Sequence, residues 1–129
     1  LPEAQIIFHG NLNGVQEVPD VTTTAYGAVK AELNGDMLTV SGSYNGLSAL
    51  VDVSIAGGAH LHQAAAGATG GVDFVLTSDF DLDMTAGAFS ASNNSFELDS
   101  AQVAALRARK YYTNIHTLNF GGGELRAQL

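Results

Sequence analysis

Asn34-Gly35, set between two runs that alternate in side-chain character, constrains the fold more than any other feature of the chain. Across residues 25–33, Tyr26, Ala28 and Lys30 alternate against Gly27, Val29, Ala31 and Leu33. Across residues 37–44, Met37, Thr39, Ser41 and Ser43 alternate against Leu38, Val40 and Gly42. A period of two belongs to strands with one face buried. Asn-Gly accepts the positive φ angles of a type I′ turn, so the two runs predict a tight antiparallel hairpin.

The same texture continues along the chain. Strands are expected at residues 4–12, at 50–55 continuing into 59–62 with a bulge at Gly57-Gly58, at 72–76, at 86–91, at 111–117 and at 124–129. Turns are expected at Gly14 and across 119–123, and a loop over the small residues 64–71. One helix is expected, over residues 100–110. Asp99 or Ser100 caps it, Val103 and Leu106 form an apolar stripe, and Arg107, Arg109 and Lys110 suit its C-terminal dipole. Seven or eight short strands and a single inserted helix predict an all-β, antiparallel β-sandwich of Greek-key type. No repeat or linker divides the chain, so residues 1–129 read as one domain.

Composition narrows the function classes. Hydrophobic residues make up 46% and charged residues 14%, the balance of a chain that buries a core. The net charge is −8 with only five Lys/Arg, four of them (Arg107, Arg109, Lys110, Arg126) in the last quarter of the chain. Nucleic acid needs a basic footprint and is not an expected partner, whereas an acidic surface attracts cations. Without cysteine there is no disulfide, zinc-thiolate or iron–sulfur site. No apolar run reaches the ~18 residues needed to cross a bilayer. The chain opens on Leu1-Pro2-Glu3 with no initiator Met, which leads to the expectation of a processed, exported protein, secreted or periplasmic.

The sharpest chemical feature is His60-Leu61-His62. On a strand, residues i and i+2 share a face with Cα atoms ~6.6 Å apart, so two imidazoles converge while Leu61 faces away. His116 lies in a second strand-like run, sharing a face with Tyr112 and Asn114. If the two strands are neighbours, three imidazoles meet. Such a set suits copper, zinc, nickel or iron, and without a fixed fourth ligand it leaves an open position. Tyr112 would then stand behind the ligands as a supporting partner. The remaining histidine, His9, shares a strand face with Ile7 and Asn11 and is a candidate fourth ligand. The plain alternative is that all four are partly exposed strand histidines with ordinary hydrogen bonds.

Other constellations are weaker. Asp79, Asp81 and Asp83 alternate as in the start of a calcium loop, but Met84 and Ser90 stand where an EF-hand has Gly and Glu, so a solvated acidic strand face is the better reading. Glu17 and Glu124 lie beside glycine- or proline-rich turns. Glu124 shares a strand face with Arg126, consistent with an ion pair or a turn clamp; in a functional reading, Arg126 attracts a small anion toward a bound ion. There is no nucleophile elbow, and Gly67–Gly71 lacks the Lys-Ser/Thr of a phosphate loop. Asn93-Asn94-Ser95 is a glycosylation sequon, meaningful only in a eukaryotic secreted protein.

Taken together, several motifs resemble one family in its own order: Gln16-Glu17-Val18-Pro19, Ala59-His60-Leu61-His62 ahead of the Gly67-x-x-Gly70 loop, Asn114-Ile115-His116-Thr117, and the ending from Gly122 to Leu129. The chain resembles the CHRD domain family, named after chordin and common in exported bacterial proteins. Asp20 stands where a second proline is usual, Ala127 where a glycine is usual, and the run from His116 to Gly121 lacks the common proline. None of these departures touches the three histidines. The pattern of His-x-His, glycine-rich loop, late His and later Arg is also similar to the copper site of Cu/Zn superoxide dismutases. Here there is no bridging histidine and no second ligand set, so the similarity implies a copper-only site at most, with zinc as the alternative ion and superoxide as the anion near Arg126. The resemblance equally allows a non-enzymatic extracellular interaction or matrix module with structural histidines. Fold-level analogy does not fix an activity. The oligomeric state stays open.

Overall fold

The computed structural model describes residues 5–129, and their architecture is an all-β sandwich of two antiparallel sheets with one helix. The first sheet contains β1 (Gln5–Leu12), β2 (Tyr26–Asn34), β3 (Met37–Asn45), β6 (Asp79–Phe80), β7 (Gly87–Phe89) and β8 (Ser95–Glu97). Its order is β1-β2-β3-β7-β6, with β8 also paired to β3. The second sheet contains β4 (Ala59–His62), β5 (Val72–Val75), β9 (Tyr112–Ile115) and β10 (Leu125–Gln128), in the order β10-β9-β4-β5. The chain crosses to the second sheet after β3, returns after β5 and crosses again through helix α1 (Ser100–Arg107). Ala4, expected to begin the first strand, lies with Leu1, Pro2 and Glu3 outside the described residues. Among the described residues, no helix is long and apolar enough to cross a membrane.

The hairpin forms as expected, with one change. Asn34 already pairs with Met37, so Gly35 and Asp36 are the loop residues, and Gly35 takes the positive φ of 64°. Asn34 thus closes the last rung of the ladder, and a type I′ turn centred on Asn-Gly does not form.

The hydrophobic core lies between the sheets. Alternation turns Val29, Ala31 and Leu33 of β2 and Leu38 and Val40 of β3 inward, against Leu61, Ile115, Leu125 and Ala127 of the second sheet. Leu106 plugs this core from α1. Asp99 starts the helix with a capping box: its carboxylate accepts from Gln102 N–H (2.8 Å) and the Gln102 side chain accepts from Asp99 N–H (2.9 Å). The helix ends earlier than residue 110 because Arg109 adopts a left-handed φ of 63°, and the Lys110 N–H turns back to Ala105 O.

Two further expectations change. Residues 50–55 make only an isolated bridge, Val51 to Thr117, before the chain turns. Asp52 accepts from the Ser54 N–H and hydroxyl, and the left-handed Ala56, Gly57 and Gly58 complete the turn that delivers β4. The run Asp79–Asp83 is a two-residue strand followed by a turn, since the Asp81 carboxylate accepts from Thr85 and Ala86 N–H and Met84 is left-handed.

Candidate metal centre

Because Leu61, Thr113, Ile115 and Ala127 face the core, the residues between them must face the other side of the second sheet. That outer face carries His60 and His62 of β4, Tyr112 and Asn114 of β9 and Arg126 of β10. Antiparallel register places them in rows, Arg126–Asn114–His60 and Gln128–Tyr112–His62. His116, just beyond β9, donates its N–H to Gly58 O (2.7 Å) and so continues alongside β4. An outer sheet face is normally wet, yet here His60 is 1%, Asn114 2%, Arg126 1% and His116 6% exposed. Loops bring the cover: Glu17 accepts from Asn114 Nδ2 (2.7 Å), and Gln16 Oε1 accepts from Gln128 N–H (2.8 Å). Residues 64–71 and 117–123 lie over the rest, through hydrogen bonds described below.

The three histidines converge, each offering one ring nitrogen, all within 4.8 Å of one another. Every imidazole is oriented through its other nitrogen. His60 Nδ1 donates to Ala56 O (3.2 Å), His62 Nδ1 to Gly70 O (2.7 Å) and His116 Nδ1 to Gly121 O (2.9 Å). A carbonyl only accepts, so these partners assign the proton to Nδ1 in all three rings and leave three Nε2 lone pairs facing inward. Two of those lone pairs, on His60 and His116, are 2.8 Å apart. The third, on His62 Nε2, is buried with no hydrogen-bond partner. Lone pairs held this close repel unless a proton or a cation stands among them. Burial first, and then the charges of His116 and His62, push the His60 pKa down to about 4. Burial likewise lowers those of His62 and His116. All three rings are therefore neutral imidazoles at neutral pH, the state in which they could hold a metal ion.

Tyr112 stacks flat on His62, with centroids 4.7 Å apart and planes 4° apart, and the Arg126 guanidinium lies 3.6 Å over the Tyr112 ring. Arg126 donates to Ala68 O (2.7 Å), Ala65 O (3.1 Å) and Gln128 Oε1 (2.9 Å). It makes no ion pair with Glu124. That carboxylate instead clamps a turn, accepting from the Ser48, Thr23 and Thr117 hydroxyls and the Ser48 N–H. Burial raises the Glu124 pKa, but these donors together hold it below the ordinary value. Glu17 has fewer donors, and burial pushes its pKa up to about 8 despite Arg126 and Asn114, so the carboxyl is largely protonated at neutral pH.

His9 is not brought to the cluster. It lies exposed on β1 in the first sheet, opposite Lys30, because its neighbours Phe8 and Leu12 take the buried face. What the sequence reading missed is the set of orienting acceptors, Ala56 O, Gly70 O and Gly121 O, since a backbone carbonyl has no residue signature. The signal that was available is the glycine content of the loops carrying them.

In comparison with known proteins, the family model for the CHRD domain fits residues 8–129. Neither the search of curated proteins nor that of solved structures returned a match.

Proposed function

Because this chain belongs to the CHRD domain family and gathers three imidazoles into one buried pocket, we propose that it is an extracytoplasmic metal-binding domain whose ion is copper. The observation that carries this reading is the inward set of Nε2 lone pairs, one orphaned on His62 and two in contact between His60 and His116. A cation among them removes the repulsion and satisfies all three at once. Nδ1–H bonds to backbone carbonyls are the supports that ligating histidines commonly have. An all-imidazole set without thiolate or carboxylate suits copper, and among divalent first-row ions Cu(II) binds such donors most tightly, with zinc the competing occupant.

Three protein nitrogens leave a position open. When bound, copper would supply one-electron chemistry between Cu(II) and Cu(I), and a small anion such as superoxide is the substrate class proposed for the open position. An extracytoplasmic setting is part of the same proposal and rests on the export common among bacterial proteins with this domain.

Calorimetric titration of metal-free protein with Cu(II), repeated in competition with Zn(II), tests the reading. One equivalent of Cu(II) should bind, and His60→Ala and His116→Ala should each weaken binding at least about tenfold, a loss of about 1.4 kcal/mol. Equal, weak binding by all three proteins would remove the site. Superoxide decay no faster with the copper-loaded protein than in buffer would leave the metal site standing and favour a non-enzymatic module.

A further inference from the structure

Arg126 is a cation buried to 1% exposure, and among the described residues no carboxylate lies within ion-pair distance of it. Burying a charge without a counter-ion is costly, so what the guanidinium touches should say why it is there. It touches the loop between β4 and β5. Residues 64–71 are alanine, glycine and one threonine, with no long side chain of their own to tie them down. Anchors reach in from elsewhere: Arg126 to Ala65 O and Ala68 O, Gln128 Nε2 to Ala64 O (2.9 Å), and Tyr112 Oη, which accepts from Gly70 N–H (3.3 Å). The same loop carries Gly70 O, the acceptor that orients His62 Nδ1. Arg126 also lies on Tyr112, whose ring stacks on His62.

We propose that Arg126 is the positioning residue of the metal centre, acting on His62 alone, through the loop it clamps and the tyrosine it covers. The inference rests on the proposed metal site and deepens it. It gives Arg126 a role other than attracting an anion: three of its N–H···O bonds go to the loop and Gln128. The selectivity for His62 follows from the supports. His60 is oriented by Ala56 O in the turn before β4, and His116 by Gly121 O in the loop before β10, and Arg126 donates to neither.

The test uses NMR of the metal-free protein, reading the imidazole tautomers and the exchange rates of the three Nδ1 protons, and then EPR of the Cu(II)-loaded protein. In wild type all three rings should be Nδ1–H tautomers with slowly exchanging protons. In Arg126→Ala the His62 proton should exchange rapidly while those of His60 and His116 stay protected. Copper affinity should fall about 10–100-fold, as is typical when a partner behind a ligand is lost, and the nitrogen pattern should change from three imidazoles to two. Arg126→Lys keeps the charge but lacks the planar fork that serves two carbonyls while stacking. It should show the same selective change at His62, which keeps the test decisive if Arg126→Ala does not fold. Unchanged His62 signals in a folded variant, or equal loosening of all three histidines, would overturn the proposal. Failure of the wild type to bind copper would instead sink the metal reading, and the metal-free NMR comparison would still decide the role of Arg126.

Discussion

At the scale of single residues, the least expected feature is the largely protonated carboxyl of Glu17 beside the candidate metal pocket. Its folded pKa of about 8 lies above the ordinary glutamate value of 4.5. Between those values the unfolded chain has released a proton that the native protein keeps, so stability falls as pH rises from about 4.5 to about 8. Glu17→Gln can still accept from Asn114 and has no proton to lose. Its stability relative to wild type should therefore increase across that interval, measured by urea denaturation at several pH values; a constant difference would mean that Glu17 is ionised in the fold. Gly123 makes a second prediction. Its φ is +114°, and a Cβ there would strike Asn114 Nδ2 and Glu17 Oε2. Gly123→Ala should lose about 2–4 kcal/mol, combining backbone strain with overpacking, readable as a lower urea midpoint at unchanged slope. Neither position was legible as part of the site. Glu17 and Gly123 are ordinary turn residues until the fold lays their loops over Asn114, whereas His60 and His62 were legible as a pair because strand alternation sets their common face, and His116 joins them only through the pairing of β4 with β9.

Among the elements, α1 separates stability from function. The capping box at Asp99 lies at the start of the helix between β8 and β9 and makes no hydrogen bond with the carbonyls that orient the histidines. Asp99→Ala should cost about 1 kcal/mol in chemical denaturation and leave Cu(II) affinity unchanged; a fall in affinity would show that the helix shapes the site. Its start was readable because a cap is a local hydrogen-bond pattern. Its end was not, since a left-handed Arg109 is unfavourable locally and is held by surrounding structure, with its guanidinium 5.3 Å from the Phe8 ring centroid. Long alternating strands such as β2 and β3 were equally readable. β8, three residues long, was missed because too few alternations exist to see, although Phe96 packs against the core. Residues 50–55 looked like a strand by hydropathy, but Asp52 and the left-handed residues 56–58 favour turning, and that turn carries Ala56 O, the acceptor for His60.

Seen whole, the molecule places its candidate chemistry outside its core. The space between the sheets is apolar, and the polar residues are held on the outer face of the second sheet under loops contributed by distant parts of the chain. Sheet membership and the side on which the histidines emerge are decided by long-range pairing of β4 with β9, which no local pattern encodes. The sandwich class was nonetheless legible, because many short strands with buried alternate residues have few other ways to cover them. The proposed function turns on His60, His62 and His116 holding one copper ion through their Nε2 atoms. Its most direct test is pulsed EPR of the protein loaded with one equivalent of Cu(II), counting the coupled imidazoles through their remote Nδ1 nitrogens. Three are expected in wild type and two in each of His60→Ala, His62→Ala and His116→Ala, with His9→Ala unchanged. A wild-type spectrum with no imidazole coupling, or one that survives in all three variants, would contradict it.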